Sequence, residues 1–132
     1  MAVPLDFQER RTDMQVKEIY ENALALNIAK PADDVELEFF AVKLFNILLA
    51  EAKLYNDSIR TGKSLLPLDK APTVKSIEDE MPYEAELYAP LSYGLASKLL
   101  AAQEETTLAS LYHNQYVTLM ELATPYVPVE VC

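Results

Sequence analysis

The segment from Asp34 to about Arg60 constrains the fold most, because its apolar residues recur at helical spacing along its length. Val35, Phe39, Val42, Phe45, Leu49, Ala52 and Ile59 form one row, and Phe40, Leu44, Ile47 and Leu48 widen it. A stripe this wide predicts a long helix, over residues 34–61, buried on more than one side. Asp33 and Asp34 can cap its start, and Glu36 and Glu38 suit the positive end of its dipole. Gly62, in Thr61-Gly62-Lys63, can take the left-handed conformation that ends it.

Three further helices fit around this one. Thr12 can cap a first helix over residues 12–29, with Val16, Ile19, Tyr20, Ala23 and Leu24 or Leu26 on one face, stopped by Lys30-Pro31. A third begins near Pro82-Tyr83 and spans 83–103. The fourth covers 105–124, with Leu108, Leu111, Tyr112, Tyr116, Leu119, Leu122 and Ala123 in register and Pro125 as its stop. Between the second and third lies a long connection of about twenty residues, marked by Pro67, Pro72 and Pro82. Its leucines (Leu65, Leu66, Leu68) predict that it lies against the body of the domain, with a short extended piece at Thr73 to Ile77. The expected class is all-α: a small four-helix bundle in one domain (12–124), after an N-terminal segment (1–11) and before an extended C-terminal arm (125–132).

The third helix contains two residues that helices resist. Pro90 removes the bond to the carbonyl of Glu86, which predicts a kink or break near Tyr88-Ala89. Gly94 has no side chain, so another helix can approach it closely, either from this bundle or from a neighbouring subunit. Tyr88, Pro90, Gly94 and Tyr116 are therefore candidates for subunit packing.

The arm TPYVPVEVC alternates Val127, Val129 and Val131 with Pro128 and Glu130. That is the period of a strand, but Pro128 excludes a central place in a sheet. An apolar extended end without an evident internal neighbour suggests a partner in another chain, held by Tyr126, Val127, Val129 and Val131.

Catalytic constellations do not assemble. His113 is the only histidine and Cys132 the only cysteine, and Glu18-x-x-Glu21 lacks the histidine that a di-iron bundle would need. No phosphate loop, dinucleotide fingerprint, calcium loop or zinc spacing is present, so neither an enzyme nor a cofactor or metal is expected. The N-terminus MAVPLDFQERR does not read as a signal peptide, and the longest apolar run is interrupted by Lys43 and Asn46, so a membrane role is not expected either.

Charge is distributed unevenly. The net charge is −10, and the residues after Ser76 hold one base, Lys98, against nine acids. Such a surface repels nucleic acid rather than gripping it. Glu78, Asp79, Glu80, Glu84 and Glu86 are the candidate acidic surface.

The order of these features resembles the head-to-tail adaptor (connector, head-completion) proteins of tailed bacteriophages. The residues that carry the resemblance are LFNILLAEAKLY in the long helix, the acidic, proline-marked EDEMPYEAELYAPLSYGLASKLL, and LASLYHNQYVTLMELA in the last helix. Leu95-Ala96 matches a small-residue step in that family, and Tyr116 a mid-helix tyrosine. The family implies a ring of about twelve copies beneath the portal, joined by head-to-tail contacts. Such a ring extends the DNA channel without binding DNA specifically and presents a platform to the next tail or neck protein. The C-terminal arm would embrace the portal, the acidic residues would line a wall past which DNA slides, and the place of action would be the virion neck, after assembly in the bacterial cytoplasm. The alternative reading is an intracellular helical interaction module that binds one partner through its acidic half.

Overall fold

The computed structural model describes residues 13–27 and 35–124. Among them are four α-helices: α1 (Val16–Leu26), α2 (Val35–Gly62), α3 (Tyr88–Ala102) and α4 (Thr106–Ala123). A 3-10 turn, Ala85–Leu87, leads into α3. The all-α, four-helix expectation holds, with the long connection between α2 and α3. Thr12, Asp33 and Asp34, the N-terminal segment and the arm from residue 125 lie outside the described residues.

The bundle also contains a short two-stranded ribbon. Residues 14–15, expected inside the first helix, form a short strand, β1 (Met14–Gln15), antiparallel to β2 (Glu80–Met81). Met14 stands opposite Met81, and both are fully buried. The pairing draws Met14 out of helical geometry, and α1 starts at Val16 instead. The extended piece expected at 73–77 forms no strand, because a turn occupies residues 75–78. Asp79 holds that turn: its carboxylate accepts the backbone N–H groups of Lys75 and Ser76.

Helix α3 is the centre of the bundle and packs against α1, α2 and α4. Leu87, Leu91, Leu95 and Leu99 form a fully buried row at i, i+4 spacing. Pro90, Gly94, Ala96 and Ser97 are buried on its other sides. A helix covered on most of its sides needs small residues where neighbours come closest, and its buried hydroxyls need partners. Ser97 donates to the carbonyl of Ala109 on α4 at 2.7 Å, and Ser92 donates to the carbonyl of Tyr88 at 2.8 Å. The expected break near Tyr88 is the junction between the 3-10 turn and α3. Pro90 then falls in the first turn of α3, where a missing N–H leaves no helical bond unmade.

Two helices end in the same way, and neither uses glycine. Gly62 stays helical, and the left-handed residue is Ser64 (φ 64°). The Leu65 N–H reaches the Arg60 carbonyl at 2.8 Å and the Ser64 N–H the Thr61 carbonyl at 3.0 Å, the paired bonds of a Schellman cap. At the end of α3, Glu104 (φ 64°) repeats the arrangement, with Glu105 bonding to Leu100 and Glu104 to Ala101.

The connection after α2 does lie on the domain. Asn46 on α2 uses its side-chain amide as a short strand would: it accepts the Val74 N–H at 2.8 Å and donates to the Val74 carbonyl at 2.9 Å. Asp57 accepts the Leu68 N–H at 3.0 Å. Val74 and Ile77 are buried beneath these anchors, while Leu66 stands in solvent.

Candidate interaction surface

Of the four residues proposed for subunit packing, Pro90, Gly94 and Tyr116 belong to the interior of this chain. A Cβ built on Gly94 would meet Leu48 Cδ1 at 2.8 Å and Tyr116 Cδ1 at 3.0 Å. The space above Gly94 is therefore filled by α2 and α4 of the same molecule, and no second chain can reach it. Tyr116, which lies against Gly94, and Pro90 are buried as well. Tyr88 is half-buried, and its hydroxyl accepts the Gln15 N–H at 2.7 Å, tying β1 to the start of α3.

Burial pushes the hydroxyl pKa of Tyr116 well above the ordinary tyrosine value, with the charge of Glu51 adding to the effect. Burial also raises the hydroxyl pKa of Tyr83, with the charge of Asp57 adding to it, and that hydroxyl donates to the Leu49 carbonyl. Both act as neutral packing residues with polar ends.

The acidic cluster is largely committed inside the chain. Glu84 is not a surface residue: it is 1% exposed. Its carboxylate takes Arg60 Nη1 at 3.2 Å and Lys63 Nζ at 3.0 Å, and its backbone N–H donates to Asn56 Oδ1 at 2.8 Å. A buried carboxylate requires such partners, since burying a charge unpaired is far more costly. Lys63 also reaches Glu86 at 2.9 Å, and the hydrogen bond to Glu86 is the main reason its amine pKa is raised. These contacts fasten the end of α2 to the segment that opens α3. An open cleft of about 410 Å³ borders this network, lined in part by Asp13, Arg60, Lys63 and Tyr83. Its cations already face carboxylates, so it has no net attraction for an anion.

Asp79 holds the 75–78 turn, Glu80 accepts the Gln15 side-chain amide at 2.6 Å, and Glu78 lies 3.8 Å from Lys17. Of the five candidate acids, only Glu78, Glu80 and Glu86 are exposed. His113 is exposed with its ring tilted against Tyr116 at 5.9 Å. Among the described residues no group of three or more His, Cys, Asp or Glu side chains could hold a metal, and no helix is long and apolar enough to cross a membrane. Tyr126, Val127, Val129 and Val131 lie outside the described residues.

The surface that the sequence reading missed is on α2. Its wide apolar stripe predicts burial on more than one side, yet the chain buries only one. Ala41, Phe45, Leu48, Leu49, Ala52 and Ile59 face the core. On the opposite side Phe40 is 45% exposed, Ile47 53% and Leu54 75%. Val35 and Phe39 near the start of α2, Leu66 on the connection, and Leu111 and Leu122 on α4 are exposed as well. Single exposed leucines are ordinary, but Phe40, Ile47 and Leu54 form an aligned row on a 28-residue helix, which makes this face a candidate contact surface.

Comparison with known proteins returns no matching family model, no matching curated protein and no matching solved structure.

Proposed function

We propose that this chain is a structural adaptor of a tailed-bacteriophage neck, a subunit of a ring beneath the portal that joins the capsid to the tail. The observation that carries the reading is the spread of large exposed apolar side chains over three separate elements: α2, the connection at Leu66, and α4. A ring subunit touches two neighbours, a portal above and a tail or neck component below, and so needs apolar contact area on several sides. The net charge of −10 suits a ring through which DNA passes without being held. With Glu84 buried and Asp79 holding a turn, the DNA-facing acids would be the exposed Glu78, Glu80 and Glu86, joined by Glu104, Glu105 and Glu121, which are also exposed.

The arm of residues 125–132 is assigned to the portal, as its alternating valines suggest. The test is retention of the chain on immobilised portal assemblies. The full chain should be retained. A chain ending at Thr124 should wash through with its helical circular dichroism intact, and its retention would overturn the role given to the arm. The alternative, a module binding one partner through its acidic half, would give a one-to-one complex instead of a collar.

A further inference from the structure

We propose that the outward face of α2 is a self-complementary seam on which a second copy of this chain lies antiparallel, with the twofold axis through Ile47. The seam residues are Phe40, Lys43, Leu44, Ile47, Ala50, Glu51 and Leu54, whose alternating steps of three and four keep them on one side of the helix. All are exposed except Leu44, which is half-buried. In an antiparallel pair centred on Ile47, residues equally distant from it face one another. Phe40 then faces Leu54 of the second copy, Lys43 faces Glu51, and Leu44 faces Ala50. Each match is favourable: apolar on apolar, cation on anion, large on small. Every off-axis match occurs twice, as an isologous contact requires. The seam from Phe40 to Leu54 is about 21 Å long.

The alternatives fit less well. A parallel pair in register would set Lys43 against Lys43 and Glu51 against Glu51. An extended segment such as residues 125–132 presents its side chains with period two and would not match a helical seam. Both seam charges can take part. The Lys43 amine rests 4.8 Å from the centre of the exposed Phe39 ring, and the Glu51 carboxylate, which holds Lys98 at 3.0 Å, is 46% exposed and has acceptor capacity for a second cation. The proposal does not rest on the adaptor reading. A twofold pair is closed, whereas a ring needs head-to-tail contacts, so the pair is the form of the free chain.

Disulfide trapping in the full chain, with Cys132→Ser as background, tests the geometry. Only a residue on the axis can bond to its own copy, because a disulfide needs its Cβ atoms within about 4.5 Å. Ile47→Cys should convert to a covalent dimer under mild oxidation. Phe40→Cys alone should not, since its two copies lie about 21 Å apart, whereas Phe40→Cys combined with Leu54→Cys should. Sedimentation equilibrium should show a monomer–dimer equilibrium for the unmodified chain, weakened about tenfold or more by Lys43→Glu and restored by Lys43→Glu with Glu51→Lys. All these α2 sites are exposed, and Glu51→Lys breaks the surface pair with Lys98 at 3.0 Å, whose contribution to stability is small, so circular dichroism checks the fold of each variant. A chain that stays monomeric at every concentration, a Phe40→Cys variant that links to itself, or failure of the charge swap to restore pairing would each overturn the proposal. A dimer trapped through Ile47 in a chain that ignores the portal would refute only the adaptor reading.

Discussion

Replacing Gly94 tests the packing of the bundle where it is tightest. Two opposing effects follow from Gly94→Ala. In a helix interior alanine is favoured over glycine by about 1 kcal/mol. Against this, the new methyl would stand 2.8 Å from Leu48 Cδ1 and 3.0 Å from Tyr116 Cδ1, in a region where Leu48 is fully buried and Tyr116 nearly so. Overfilling a packed core costs roughly 1–3 kcal/mol. The packing loss prevails, and the alanine variant should be destabilised by about 1 kcal/mol, a drop of about 3–5 °C in the unfolding midpoint. Gly94→Leu has no compensating space and should lose about 4 kcal/mol or more. The damage would fall on the fold itself, since both neighbours belong to the same molecule. Thermal and guanidinium unfolding followed by circular dichroism measures both variants. Leu48→Ala should partly rescue Gly94→Leu, giving a loss smaller than the sum of the single losses, because the two residues share one space. A Gly94→Ala variant more stable than the parent would mean that helix propensity outweighs contact here, and that the space around Gly94 is not tightly filled.

Three further outcomes follow from the same geometry. Tyr83 and Tyr116 have hydroxyl pKa values raised by burial above the ordinary value of 10.0, so the folded chain holds these protons longer than the unfolded chain does. Their contribution to stability is complete below pH 10 and falls as the pH rises above it, by about 1.4 kcal/mol per pH unit for each tyrosine. Tyr116→Phe should make the fall in urea midpoint between pH 10 and 11 shallower, and an unchanged slope would contradict the assignment. Ser64 and Glu104 hold left-handed geometry at a steric cost, so Ser64→Gly and Glu104→Gly should each stabilise the chain by up to about 1 kcal/mol in denaturant titrations. Asn46→Ala removes both bonds to Val74 and should cost about 1–3 kcal/mol, with limited proteolysis cutting within residues 63–79 sooner than in the parent.

Helices were legible because period and capping are local. The row Phe45, Leu49, Ala52 and Ile59 was visible as a core face, and Pro90 as a break, since both effects act within one turn. Local signals also misled. Gly62 looked like the cap residue, yet the turn placed Ser64 in the left-handed position, because where a helix ends depends on the carbonyls its following residues can reach. The β1–β2 ribbon leaves no sequence signal because it joins residues more than 60 apart in sequence, Met14 with Met81 and Gln15 with Glu80, too few positions to leave a period. Glu84 read as one acid among several. Its burial arises only when Arg60, Lys63 and Asn56 converge on it from α2. Gly94 signalled a close approach correctly, but not which molecule approaches. The outward row on α2 was visible as width in the stripe. That the chain leaves it uncovered is a property of three-dimensional packing.

The most direct measurement of the adaptor reading is electron microscopy of portal assemblies incubated with the full chain. The expected image is a continuous collar of about twelve subunits on the tail-facing side of the portal, surrounding an open channel. Bare portals beside free chain, or a single copy bound to one side, would contradict it.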